Sequence, residues 1–347
     1  MPEVLTNKQG LPETIVNACK YDTHRVAGDI SVSQLIAAPR QRILKRANKY
    51  ESDISDRLYM LMGTALHNIL ERGNIPEVRR RAFLTVMETF MEGAKKFEGT
   101  DAAKASQFKS VAKYLQDCIP VFFPEIGDRY LFEVTLRVEI MGTVLYGTFD
   151  LYDKFTKTLY DYKFCSVYAY IFEESRIKWD AQTNVYAFLL NQNGHEVKHI
   201  KIVAFFRDWQ ETGNLRQKDY PKSQVMEISM PVRTQSEMLN YVTKRLEKHI
   251  TAETTGVLPL CTGTERWAKG DQWAVKTKGV KKAIKVSDEE GPIDQFVFDN
   301  QLKYQGKLYK EFRPGESVMC AKFCPVAEFC DQRQSELKIR LENSNNE

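Results

Sequence analysis

No stretch of this sequence is apolar for long. The longest apolar runs, at 185–190 and 203–206, fall far short of the roughly 20 residues that span a bilayer, so neither a transmembrane segment nor a membrane partner is expected. The opening MPEVLTNKQG lacks the apolar core of a secretory signal, which makes a cytoplasmic protein the expectation. Strong charge of one sign is missing too. Lys+Arg total 50 and Asp+Glu 46, a net +4, so any basic surface has to come from local clustering. Internal repeats and low-complexity tracts are absent. With 43% hydrophobic and 28% charged residues, this excludes collagen-like, mucin-like and mostly disordered chains. A chain of 347 residues needs no disulfide staples. Its seven cysteines therefore read as thiols or metal ligands.

Periodicity divides the chain. Residues 1–28 read as an irregular lead-in. Ser33 is placed to cap a helix over 34–46, with a break near Pro39. A second helix is expected over 58–72. Phe83, Val86 and Phe90, then Phe108, Val111, Tyr114 and Leu115, recur at helical spacing, with Gly99 and Thr100 dividing two helices. From residue 130 the period changes to two: Tyr130, Phe132, Val134, Leu136, Val138 and Ile140 alternate with mostly polar residues, a half-buried strand. Strands are expected at 145–152, 158–165 and 198–207, with helices at 178–191 and 235–255; the tail 342–347 is expected to fray. The expected fold is α/β, a mixed sheet flanked by helices. The division is a lead-in and helix (1–57), a helical segment carrying His67 (58–128), a sheet-and-helix core (129–255) and a basic, cysteine-bearing region (256–347).

The segment FDLYDKFTKTLYDYK, 149–163, carries the chemistry. Asp161 and Lys163 share a strand face, and a hairpin symmetric about its turn sets Asp150 opposite Asp161. Side chains so paired have Cβ atoms about 4.5–5.5 Å apart, where two carboxylates repel unless something positive joins them. Mg²⁺ or Mn²⁺ suits such oxygen ligands, and Lys163 would then orient a water or neutralise a phosphate. A solvated hairpin with ordinary charges has the same sequence. Glu133, out of phase with Phe132 and Val134, is able to join the cluster. His67, in GTALHNILE with Glu71 four residues on, is a possible metal ligand or a plain helix residue. Gln182 and Tyr186, four apart on a helix, bring their polar tips side by side, as a semi-exposed edge would also do.

Two further clusters stand out. MCAKFCPVAEFC supplies Cys320, Cys324 and Cys330, three thiols in eleven residues, which suits a soft metal or three core thiols. The stretch 265–285 holds Arg266, six lysines, Trp267 and Trp273. Cations neutralise phosphates and indoles stack on unpaired bases; a solvated basic loop with packed tryptophans reads the same way.

In order, GTALHNILE, FEVTLRVEI, GTFD, DYK and QTNVY resemble the PD-(D/E)XK nuclease superfamily in its RecB-like branch, over residues 31–207. The resemblance implies a restriction-endonuclease-like fold and a metal-dependent DNA exonuclease of phage or bacterial replication, recombination or degradation, with DNA and replication or recombination proteins as partners. Asp150, Asp161, His67 and the Tyr162 carbonyl would hold Mg²⁺ or Mn²⁺, with Glu133 as a further ligand. Lys163 would act on water, and Gln182 and Tyr186 would position the strand. ISVSQLIAAPRQRIL resembles the family's N-terminal helix, with Ala37 and Ala38 where many relatives carry a cysteine. Relatives with a 4Fe–4S cluster carry a C-terminal triplet and one distant cysteine. Here Cys261 is the expected fourth ligand and Cys19 the second choice, with Cys118 and Cys165 as core thiols and zinc as the alternative to iron. Arg40, Arg42, Trp267, Lys281 and Lys282 are the expected DNA contacts. A CRISPR-adaptation-type trimming nuclease and a non-cutting DNA-end-binding scaffold share this fold and stay open.

Overall fold

Where the hydrophobic period switches from helix to strand, the chain builds its main sheet. The computed structural model describes residues 3–21, 26–73, 76–122, 129–215 and 219–345. β1 (Glu3–Thr6), α1 (Glu13–Tyr21), β2 (Ile30–Ser31), α2 (Val32–Ile36), α3 (Pro39–Ala47) and β3 (Tyr50–Asp53) precede three long helices, α4 (Ile54–Gly73), α5 (Pro76–Phe97) and α6 (Ala102–Phe122). The central run is β4 (Tyr130–Ile140), β5 (Thr143–Asp153), β6 (Thr158–Cys165), α7 (Val167–Ile171), α8 (Glu173–Gln192), β7 (His199–Phe206), β8 (Val225–Met230) and α9 (Gln235–Thr255). The last third contains α10 (Gly263–Arg266), β9 (Gln272–Thr277), β10 (Lys285–Ser287), α11 (Gly291–Asn300), β11 (Leu308–Arg313) and α12 (Asp331–Asn345). These form two compact units. One holds Asn7–Ile36 and Asp53–Leu246; the other holds Met1–Thr6, Ala37–Ser52 and Glu247–Glu347.

The first unit is a six-stranded mixed sheet in the order β2-β5-β6-β7-β8, with β4 on β5. β4 and β6 run antiparallel to β5, and β6 and β7 run parallel. Parallel neighbours need a crossover, which α7 and α8 supply. α8 is apolar on several sides because it packs on both sheet and helix: Val185, Phe188, Leu189 and Leu190 are each at most 1% exposed. Each such burial contributes about 1.5–3 kcal/mol. Asn184, buried beside them, is satisfied by the Asp180 and Pro231 carbonyls and by the Arg233 N–H. The second unit has an antiparallel sheet, β10-β9-β11, around Val275, Ile293 and Leu308.

Several expectations change. The lead-in contains α1, which buries Cys19, and β1, which pairs with β3. The helix cap is Ser31, not Ser33: the Ser31 hydroxyl accepts the Gln34 N–H (3.2 Å) and the Gln34 side chain accepts the Ser31 N–H (3.0 Å). Pro39 does divide the segment, standing at the first turn of α3, where its missing N–H costs nothing. α12 continues through Asn345 where fraying was expected, and the last two residues lie outside those described. β8 to β11 have no expected counterpart.

At the turn between β5 and β6, Asp153 is 3% exposed. It accepts a two-pronged contact from Arg129 and the N–H groups of Phe155 and Thr156. Burial alone would raise its pKa, but Arg129 and the two amides outweigh burial and hold the carboxyl below its usual value. A depressed folded-state pKa gives stability that is complete above the unfolded value, about 3.9, and is lost as pH falls through the folded value. Asp153→Asn is expected to cost roughly 1–3 kcal/mol at pH 7. Urea melts at a series of pH values should find that gap shrinking below about pH 4; a gap independent of pH would refute the assignment.

Candidate active site

β5 is paired along one edge to β4 from Thr143 to Asp153, except at Asp150. On the other edge its ladder to β6 stops at Leu151–Tyr160, in the register expected from the hairpin and one step short of Asp150 and Asp161. Asp150 is thus released from pairing on both sides. Opposite it, Glu133 takes φ +46°, in the left-handed region that an L-residue occupies at a cost of about 1–2 kcal/mol. The distortion turns the Glu133 side chain off the regular pleat. Nothing in the residue types predicts it.

α4 brings His67 to this gap. Its Nδ1 lies 3.4 Å from Asp150 Oδ1 and 3.6 Å from Glu133 Oε1, and its Nε2 lies 3.3 Å from the Tyr162 carbonyl oxygen. The other Asp150 oxygen accepts the Tyr162 N–H at 2.6 Å. Hydrogen bonds to Asp150 and then Glu133 push the imidazole up to about 10 against the opposing effect of burial. His67 therefore bridges the two carboxylates, within reach of both.

Asp161 and Lys163 project together from β6, as alternation requires. Asp161 is 3% exposed, and burial, opposed by Lys163, pushes its carboxyl pKa up. Its Oδ2 is 2.7 Å from Lys163 Nζ as an ion pair, yet accepts no aligned hydrogen bond among the described residues. Lys163 also donates to Gln182 Oε1 (3.0 Å), whose amide donates to Tyr186 Oη (3.3 Å). Burial raises the Tyr186 pKa, so the phenol stays protonated. The four residues form one chain of contacts from strand to helix.

Tyr186 owes its position to Gly147, a residue whose role the sequence reading missed. A Cβ there would meet Val32 Cγ2 at 2.6 Å and Tyr186 Cε1 at 2.8 Å. The glycine in GTFD was the available signal.

His67, Glu133 and Asp150 offer ligand atoms all within 4.8 Å of one another. One nitrogen and two carboxylates, beside an unsatisfied carboxylate oxygen on Asp161, suit a hard divalent cation. Asp161 stands beside this group rather than within it, ion-paired to Lys163.

The second unit orders the cysteine region. Cys261 is tied to α12 by reciprocal bonds between its backbone and the Gln332 side chain (2.8 and 3.0 Å). Gln41 donates to Cys324 Sγ (3.7 Å) and Arg40 to Cys330 Sγ (3.9 Å). Burial pushes the Cys261 thiol up to about 12, aided by Glu265, Cys330 and Cys320. Burial also raises Cys320, with Cys324 and Cys330 among its neighbours. The four thiols therefore share one electrostatic neighbourhood. Among the described residues no three lie within 4.8 Å of one another, whereas a closed tetrahedral zinc site holds its sulfurs about 3.8 Å apart. Cys19 belongs to the other unit.

Two expected DNA contacts are corrected. Arg40 is 4% exposed, with its guanidinium spent on the carbonyls of Leu258 and Pro259 and on Asp331. Arg42 is occupied by His249 and Glu253. Neither is free for a phosphate. Trp273 packs on Phe312 in the small sheet, and Trp267 packs on Phe323 while remaining partly exposed. Lys281 and Lys282 are exposed.

The mixed sheet with Asp and Lys on one strand, a second Asp across the hairpin and helices on its flanks has the restriction-endonuclease-like architecture. The chain belongs to the PD-(D/E)XK nuclease superfamily, whose sequence profile matches residues 31–331. It is a hydrolytic nuclease of a superfamily that uses divalent metals. No curated protein matches it. Among solved structures, SSO0001 is 11% identical with a TM-score of 0.33, covering 71% of this chain and 89% of that one. A phage-related exonuclease from Haemophilus somnus 129PT is 14% identical with a TM-score of 0.25, covering 42% of this chain and 70% of that one. No helix among the described residues is long and apolar enough to cross a membrane.

Gly147→Ala is expected to displace the Tyr186 ring and loosen the Lys163–Gln182–Tyr186 chain. Overpacking of this kind costs about 1–3 kcal/mol. A thermal melt should find a lower midpoint, and activity should fall further than stability explains. An unshifted melt would contradict the close approach.

Proposed function

We propose that the chain is a metal-dependent DNA exonuclease with its active site at the β5–β6 gap. The observation that carries this reading is the juxtaposition of His67, Glu133 and Asp150 with the Asp161–Lys163 pair. His67, Glu133 and Asp150 would hold Mg²⁺ or Mn²⁺, with Asp161 and the Tyr162 carbonyl at its edge. The bound cation would supply Lewis-acid stabilisation of phosphate charge and a more acidic water.

The protein's own groups set up the rest. An ammonium has three donors. Lys163 donates one to Gln182 and is ion-paired with Asp161, which fixes its direction. Its remaining donors can meet a water or a non-bridging phosphate oxygen. Gln182 and Tyr186 hold the lysine and offer polar edges to the scissile strand. The exonuclease mode, the RecB-like branch and a phage setting rest on motif order and on the resemblance of the segments around 261–330. Lys281, Lys282 and Trp267 would add contacts to DNA outside the site. Cys261, Cys320, Cys324 and Cys330 would carry a 4Fe–4S cluster. The shared neighbourhood of the four thiols, with donors from Gln41 and Arg40 reaching the Cys324 and Cys330 sulfurs, supports this set.

End-labelled linear DNA and closed circular DNA, each with Mg²⁺ or Mn²⁺, test the activity. Loss of linear DNA alone is expected, with Lys163→Ala slower by roughly 10²- to 10⁴-fold. Gel shifts without cutting under either metal would instead favour the non-cutting end-binding scaffold. Anaerobically purified protein is expected to be brown and to contain iron. Stoichiometric zinc without iron would overturn the cluster.

A further inference from the structure

The strand that carries Asp161 and Lys163 ends at Cys165, and the next turn exposes two aromatic rings. Tyr168 and Phe172 lie one helical turn apart at the end of α7. Their rings stack with centroids 5.9 Å apart and planes inclined by only 16°. Both are more than half exposed, at 58% and 55%. Apolar rings are ordinarily buried, so a stacked pair left in water needs a reason.

A third exposed ring lies on the helix that carries His67. Tyr59, on α4 two turns before His67, is 57% exposed and lies under the Arg207 guanidinium, 4.0 Å from its centroid. Arg207 follows β7, and its N–H donates to the Cys165 carbonyl (3.0 Å), which fixes it at the end of β6. Its guanidinium has no hydrogen-bond acceptor among the described residues. The Cys165 thiol feels the charges of both Arg207 and Lys163. Arg176, four residues beyond Phe172, is exposed as well. Five residues of chain separate Lys163 from Tyr168, which limits their Cα atoms to roughly 18 Å. That is the reach of a few nucleotides of an extended single strand.

We propose that Tyr168, Phe172 and Tyr59, flanked by Arg207 and Arg176, form a base-stacking platform for unpaired nucleotides of the strand being cut. Aromatic faces accept any base, and the arginines neutralise the intervening phosphates. The platform would hold an unpaired end beside the site, so that the hydrolysed strand enters as a single strand. This rests on the reading of the β5–β6 gap as a nuclease site.

The test separates binding from cutting. Single-stranded oligonucleotides carrying 2-aminopurine at successive positions from one end are titrated with the full chain in EDTA, and stacking is read as quenching. Quenching is expected at a few adjacent positions. Tyr168→Ala and Phe172→Ala should abolish it and weaken binding roughly 5- to 150-fold. Tyr168→Phe should retain both. Leucine keeps the apolar contact without the π face, so Tyr168→Leu and Phe172→Leu should fail as the alanine variants do; they also serve if an alanine variant does not fold. Under Mg²⁺ the same variants should raise KM for single-stranded DNA and leave kcat within about twofold. Unchanged affinity and quenching in folded leucine variants would overturn the platform. Wild-type quenching without cutting would leave the platform standing and remove the nuclease reading instead.

Discussion

Three carboxylates meet where the main sheet opens, and two basic side chains hold them there. Glu133, Asp150 and Asp161 would repel one another across a few ångströms. His67 stands between the first two and Lys163 beside the third. With every group ionised the cluster keeps one negative charge in excess. A divalent ion would relieve that excess, and the fold's other arrangements serve the same gap. α4 is placed to deliver His67, β5 leaves Asp150 unpaired, and Glu133 takes a strained backbone to face it. α8 supports Lys163 from behind through Gln182 and Tyr186. Fixed donors and acceptors of this sort need no reorganisation when charge develops, which is the usual source of catalytic electrostatics.

Much of this was readable because strand chemistry is local. Alternating apolar residues set the bounds of β4, and the symmetric turn set the β5–β6 register that brings Asp150 and Asp161 to adjacent ladder positions. What escaped was decided by tertiary packing. α1 has only nine residues, too few to be stable alone, so its helicity depends on the packing that buries Cys19. The small sheet has strands of three to six residues, too short for alternation to rise above noise. The Glu133 backbone and the Gly147 contact arise only once β5 has neighbours. The interruption of the ladder at Asp150 is likewise a property of three strands, not of one.

The tryptophan-and-lysine stretch is divided by the fold. Its composition invites a nucleic-acid reading, yet Trp273 packs partly buried against the small core, Lys276 pairs with Glu311 and Lys285 bonds the Pro292 carbonyl. Local composition cannot say which members of a cluster the fold consumes. The stacked and exposed rings of Tyr168 and Phe172 lie in an unremarkable YAYIF. Arg207 joins their neighbourhood only because β6 and β7 end side by side.

The Pro-Arg segment is tied into the cysteine region by its arginine. Arg40 from the same segment reaches the Cys330 sulfur and holds the carbonyls of Leu258 and Pro259. Cys261 lies two residues beyond those carbonyls and is pinned again by Gln332. Arg40 holds that segment in place: its removal would take the side-chain donors from two half-buried carbonyls and would free the stretch that carries Cys261. The arginine expected on DNA thus acts within the protein, fastening the C-terminal thiols to α3.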